Sequence, residues 1–129
     1  MAKARILLVD DEPEILETTR WAFEVNGYEV LTARTGEEAL SLLKNQEPTV
    51  ILADFKLPKM SGVDFIRRVK SLKPDVPIIM ISGLTHQSEE IEKECKDLGT
   101  FTFLHKPLRM EEVLEVVSKA IAHGKTKSI

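Results

Sequence analysis

Short runs of Val, Ile, Leu and Met alternate along this chain with longer stretches whose apolar residues recur every three or four positions. The runs predict strands over Arg5–Val9, Tyr28–Thr32, Thr49–Ala53, Pro77–Ile81 and Phe101–Leu104. Three of these are apolar at nearly every position, the pattern of strands buried on both faces. The longer period predicts helices over Pro13–Val25, Gly36–Asn45, Gly62–Leu72, Ser88–Leu98 and Arg109–Ala122. Gly27, Gly36, Pro48, Pro74 and Gly99 punctuate the joins. Strand followed by helix, five times over, implies an α/β fold: a parallel sheet whose right-handed crossovers place helices on both faces.

Ligands of open α/β sheets bind beyond the carboxyl ends of the strands, at the point where the strand order reverses. The first run ends in Asp10, Asp11 and Glu12, the third in Asp54, the fourth in Ser82, and the fifth in His105, Lys106 and Pro107. A sheet order of 2-1-3-4-5 would make these four ends neighbours. Singly, each residue has a plainer reading: the acids could start a helix whose first turn takes Pro13, Asp54 and Ser82 could serve a turn, and Lys106 could be solvated. Taken together, the plain readings require four unrelated coincidences on one rim. Carboxylates about 5 Å apart repel by roughly 3 kcal/mol at an effective dielectric of 20, so a cation is expected among them. An all-oxygen cluster completed by water and phosphate suits Mg²⁺ better than Ca²⁺. One carboxylate could then act as a nucleophile on a phosphoryl group while the metal and an ammonium neutralise charge, and Ser82 could donate to a phosphoryl oxygen.

Composition narrows the class without changing this picture. The 129 residues suffice for one domain, 43% hydrophobic and 30% charged content is ordinary, and no apolar run approaches a membrane span. A lone cysteine, Cys95, suits a reducing compartment, so the cytoplasm is expected. A net charge of -3 with both signs interspersed offers no general reason to bind nucleic acid or lipid. The segment His123–Ile129 reads as a flexible tail or the start of a linker, leaving residues 1–122 as the domain.

The segments LLVDDEPEI, ILADFKLPKMSG, IIMISG and LHKPL, in this order and spacing, resemble the receiver domains of two-component response regulators over residues 4 to about 122. The resemblance implies a flavodoxin-like doubly wound (βα)5 fold with sheet order 2-1-3-4-5. It also implies that Asp54 is the phosphoacceptor, that Asp10 and Asp11 bind Mg²⁺ with help from Asp54 and the backbone carbonyl of Lys56, that Ser82 is the switch hydroxyl, and that Lys106 contacts the phosphoryl group. Lys106–Pro107 would be a cis peptide. Of the acidic pair, Asp11 is expected to be the direct ligand, with Asp10 acting partly through water. A domain of this kind takes its phosphoryl group from a sensor histidine kinase or a phosphotransfer protein. It is a signalling phosphoacceptor that assists its own phosphorylation and dephosphorylation, and it does not bind nucleic acid or membrane directly.

Two other phosphate-handling classes fit less well. A haloacid dehalogenase-type phosphatase needs a second acid two residues after its nucleophile, and position 13 is proline after Asp11, although Glu12 follows Asp10 at that spacing. A flavodoxin-like cofactor binder would want a Ser/Thr/Gly-rich loop where this chain has acids.

Departures from the receiver pattern are specific. Phe103 stands where the switch aromatic is commonly tyrosine, Gly83 where alanine is frequent after the switch hydroxyl, and Phe101 where a small or acidic residue is usual. Two positions apart on a strand, Phe101 and Phe103 are expected on one side, either in the core or on a docking surface for self-association formed by the fourth helix, fifth strand and fifth helix. On the first helix, Ile15, Thr19, Ala22, Phe23 and Asn26 trace the expected inward stripe. Trp21 points about 140° away, as a partner contact or as an indole lying over its neighbours. His105 is assigned no role, because strand parity separates it from Lys106, and His86 and His123 have no second metal ligand in sight.

Overall fold

The computed structural model describes residues 4–83 and 89–127. Its elements, in chain order, are β1 (Arg5–Val9), α1 (Pro13–Val25), β2 (Glu29–Ala33), α2 (Gly36–Leu43), β3 (Val50–Asp54), the short β4 (Lys56–Leu57) and β5 (Met60–Ser61), α3 (Gly62–Leu72), β6 (Ile78–Ser82), α4 (Glu89–Asp97), β7 (Thr100–His105) and α5 (Met110–Lys127). The five long strands form one parallel sheet in the order β2-β1-β3-β6-β7, which is the expected 2-1-3-4-5. The expected helix start at Ser88, and His86 before it, lie outside the described residues. Among the described residues no helix is long and apolar enough to cross a membrane.

The nearly continuous apolar runs are explained by the two cores they serve. Leu7, Val9, Ile51, Ala53, Ile78 and Met80 face one core, which includes Phe65, Ile66 and Val69 of α3 and Cys95 of α4. Ile6, Leu8, Val50, Leu52, Ile79 and Ile81 face the other, with Leu16 and Phe23 of α1 and Val113 and Val117 of α5. Alternation along each strand therefore changes which core a side chain enters, while both remain dry. Helix starts follow local chemistry: Thr35 Oγ1 accepts the Glu38 N–H at 3.0 Å and Ser61 Oγ accepts that of Asp64 at 3.1 Å. Gly27 and Gly99 follow α1 and α4 with φ of 90° and 109°, a conformation that favours glycine.

Three expectations need correction, and one feature is new. The buried stripe of α1 is Leu16, Thr19 and Phe23; Ile15 and Ala22 are only half-buried, and Asn26 is exposed, donating its side-chain amide to the Ala22 carbonyl at 2.7 Å. A hairpin between the third long strand and α3 went unforeseen; Pro58 and a left-handed Lys59 (φ 62°) turn β4 into antiparallel β5. Helix α5 continues past Ala122 to Lys127, with His123 packed on Phe101 at 5.6 Å between ring centroids. Finally, Phe101 and Phe103 do not share a face. The β6–β7 register jumps from Ile78↔Thr100 to Ile79↔Thr102, so Phe101 is the extra residue of a β-bulge and the alternation restarts after it. Phe101 consequently packs on the α1/α5 core, whereas Phe103 enters the core beneath α3 and α4.

Around Phe103 the packing is tight. Its ring lies 6.0 Å from that of Phe55, and a Cβ added at Gly62 would fall 2.4 Å from Phe55 Cδ2. Gly62→Ala must therefore push the Phe55 ring against its neighbours, at an expected cost on the order of 1–3 kcal/mol. Urea unfolding checks this: an unchanged midpoint would show that the ring moves freely.

Candidate functional site

The sheet order brings the polar strand ends together. β1 delivers Asp10 at its exit, β3 ends in Asp54, β6 in Ser82, and the chain leaving β7 carries Lys106. Asp10 and Asp54 are each 5% exposed and Ser82 is fully buried, so these polar groups sit at the dry lip of the sheet. Local hydrogen bonds orient them. Asp10 Oδ1 accepts the Glu12 N–H at 2.9 Å, Asp54 Oδ1 accepts the Lys56 N–H at 2.9 Å, and the Lys106 N–H donates to the Ser82 carbonyl at 2.9 Å. Lys106–Pro107 is cis, as expected.

Lys106 carries the positive charge of the site. Its Nζ donates to Asp54 Oδ2 at 2.9 Å and lies 3.8 Å from Glu12 Oε1. Burial works to lower the lysine pKa, but the Asp54 hydrogen bond and the charges of Asp54, Asp10 and Glu12 outweigh it, and the pKa is raised overall. The Asp10 pKa is also raised, which here disfavours the charged form: burial pushes it up, and the nearby charge of Asp54 adds to the rise, against the Glu12 N–H and Lys106.

Asp10, Asp11 and Glu12 can each present an oxygen within 4.8 Å of the others. Asp10 is buried and the other two are exposed, leaving the cluster open on one side. Hard oxygen donors in such an array fit a divalent cation of the Mg²⁺ type. Asp54 stands outside that trio, but its charge reaches Asp10. Asp11 is also tied through its carbonyl to Arg34 Nη2 at 3.2 Å. Sequence reasoning had noted Glu12 as a strand-end acid without making it a site residue. It assigned His105 no role, yet His105 Nδ1 lies 2.6 Å from Ser82 Oγ. The signal was available in the strand order, since Ser82 and His105 are cross-strand partners at the ends of adjacent strands. Comparing His105 only with Lys106 concealed it. Phe103 is 9% exposed and turned inward, while a Cβ at Gly83 would meet none of the described residues within 4 Å.

A profile of the response regulator receiver domain matches residues 6–118. The chain belongs to the response regulator receiver domain family. It is 34% identical over 110 residues to response regulator MprA of Mycobacterium sp. (strain KMS), covering 85% of this chain and 47% of that protein. It is also 34% identical over 116 residues to transcriptional regulatory protein KdpE of Mycobacterium tuberculosis, covering 90% and 50%. The receiver thus spans about half the length of these curated relatives. Among solved structures, the CheY-like receiver domain protein of Methanospirillum hungatei superposes with a TM-score of 0.90 at 31% identity, over 95% of this chain and 97% of that one. A receiver domain from Clostridium thermocellum gives 0.87 at 32% identity, over 95% and 98%. The fold is therefore the flavodoxin-like one shared by such receivers, and this is a signalling domain of two-component systems.

The raised pKa of Asp10 carries a stability consequence for this receiver. Folding disfavours its charged form, so stability is complete below the unfolded-state pKa and declines as pH rises through the folded-state value. Asp10→Asn removes the charge yet retains an oxygen for the Glu12 N–H. In EDTA at neutral pH its Tm should exceed wild type by a few degrees, on the order of 1 kcal/mol, and the gap should close in acid as wild-type Asp10 protonates. Equal melting temperatures by calorimetry at neutral pH would contradict this.

Proposed function

We propose that this receiver accepts a phosphoryl group on Asp54 from the phosphohistidine of a sensor histidine kinase or phosphotransfer protein, in a Mg²⁺-dependent reaction, and thereby alters its partner-binding surface. The observation that carries the reading is the buried Asp54 carboxylate, with Lys106 Nζ 2.9 Å from Oδ2 and an acidic trio on the neighbouring strand end. One Asp54 oxygen attacks phosphorus; the new O–P bond forms as the N–P bond to the donor imidazole breaks, and the electron pair leaves with the ring nitrogen. Lys106 is placed to pair with a phosphoryl oxygen, exchanging its contact with the free carboxylate. Ser82 donates its hydroxyl proton to another oxygen. Asp10, Asp11, Asp54 and the carbonyl of Lys56 would hold Mg²⁺, with Asp11 as direct ligand and Asp10 partly through water. Bound there, the ion supplies charge neutralisation for the oxygens of the transferring group.

No separate catalytic base is needed, because the carboxylate is already the nucleophile. The domain is thus a phosphoacceptor that assists its own phosphorylation and dephosphorylation. Its output surface is the face formed by α4, β7 and α5, through which phosphorylation would change self-association or the binding of a partner. The bulge at Phe101 places that side chain against α5, leaving the exposed edge of β7 and its neighbours to form the contact.

Acetyl phosphate with Mg²⁺ should label a single site, and Asp54→Asn should abolish the label, because an amide cannot attack phosphorus in this way. Stoichiometric labelling of another residue in that variant, located by mass spectrometry, would overturn the assignment.

Asp11→Asn should weaken Mg²⁺ binding at least tenfold, about 1.4 kcal/mol, a modest share of one close charge pair. NMR titration with Mg²⁺ reads this directly, and an unchanged affinity would remove Asp11 from the ligand set.

A further inference from the structure

Receiver switching is usually expected to engage the aromatic of the last strand, yet Phe103 has no hydroxyl to hydrogen-bond and is already turned into the core beside Phe55. In this resting arrangement the polar partner of Ser82 is a different residue on the same strand. Ser82 Oγ is wholly enclosed, and His105 Nδ1, at 2.6 Å, satisfies it. The contact is fixed by backbone pairing: Ser82 and His105 are register partners, and the bulge lies upstream at Ile78/Ile79, so it leaves this end of the ladder undisturbed. The imidazole itself is exposed, on the edge strand of the sheet, two residues from Phe103 and on the same side of β7.

A serine hydroxyl has one proton to donate. If the neutral imidazole carries its proton on Nε2, Nδ1 accepts that proton, which is the same one a phosphoryl oxygen on Asp54 would take. We propose that His105 is the positioning residue of the switch: it holds the Ser82 hydroxyl on the β7 side until a phosphoryl group competes for its proton, and the released imidazole then alters the exposed edge of β7. This deepens the phosphoacceptor reading and rests on it. It assigns the polar coupling that Phe103 cannot supply to a residue one position before the site lysine, and it connects the buried pocket to the surface in a single step.

The test uses the full chain with Mg²⁺. Imidazole ¹⁵N NMR should show Nδ1 of His105 as an unprotonated acceptor, and its resonance should move when beryllofluoride is added. His105→Ala releases the hydroxyl and should tighten beryllofluoride binding about three- to tenfold, the scale of one neutral hydrogen bond. His105→Asn, whose amide oxygen can take the place of Nδ1, should restore wild-type affinity. In a Ser82→Ala background the His105→Ala gain should vanish, since the two residues act through one bond. A protonated Nδ1, an Nδ1 resonance unmoved by beryllofluoride, or the same gain in the Ser82→Ala background would each overturn the proposal. Labelling by acetyl phosphate keeps the two levels apart: label at Asp54 with an unmoved Nδ1 overturns the role of His105 alone, whereas no label at Asp54 overturns both.

Discussion

One ammonium faces several carboxylates at the carboxyl edge of this sheet, and the imbalance governs what the edge can do. Lys106 Nζ is 2.9 Å from Asp54 and 3.8 Å from Glu12, and Asp10 adds its charge from β1. At such separations and an effective dielectric of 20, each charge pair is worth about 4 kcal/mol, so one attraction is matched by one repulsion of similar size. Adding a further buried carboxylate leaves a deficit, and desolvation enlarges it. The Asp10 pKa is raised first by burial, and the charge of Asp54 adds to the rise. A further cation would offset the excess of negative charge, so the geometry suits a divalent ion even though Asp10 Oδ1 and Asp54 Oδ1 each already accept a backbone N–H.

The sheet accounts for how these charges come to share one rim. Strand positions alternate between two cores as far as the last apolar residue, and the chain then emerges with a polar group that cannot enter either. That much was legible from apolar runs and the residues ending them, whereas the order of the strands came from the resemblance to receivers. Boundaries moved by a residue or so because the ladder continues into the polar ends: Asp54, Ser82 and His105 all belong to strands by their hydrogen bonding. Composition alone would have ended those strands earlier.

What could not be read came from features that leave no local trace. A parallel ladder conceals a bulge, because one inserted residue looks like any other strand residue; counting by twos therefore put Phe101 and Phe103 on one side. The phase of α1 went astray for a related reason. Leu16 is one position from Ile15, and a rotation of about 100° per residue decides which of two apolar side chains is buried. Trp21 was placed correctly as outward, and its 68% exposure shows that the indole stands in solvent instead of lying over the helix. His105 was given no role because its partner is 23 residues away in sequence and adjacent only across the sheet.

The magnitudes of the competing bonds limit how the switch can work. A neutral hydrogen bond such as Ser82 to His105 contributes about 0.5–1.5 kcal/mol, and one to a charged acceptor such as a phosphoryl oxygen about 1.5–3 kcal/mol. The exchange by itself therefore favours the phosphorylated arrangement by roughly 1–2 kcal/mol, a population change of about five- to thirtyfold. Driving a domain from 1:99 to 99:1 needs about 5.5 kcal/mol. Ser82 alone is too weak for an all-or-none transition on the proposed reading, and the remainder has to come from Lys106 as it trades a single carboxylate for a more highly charged group. On that reading the lysine would set the depth of the switch, and the histidine how much of the active arrangement exists before any phosphoryl group arrives. Because Phe103 is already packed inward, neither contribution has to move an aromatic ring through the core, and the response can be confined to the ends of β6 and β7 and the surface they carry.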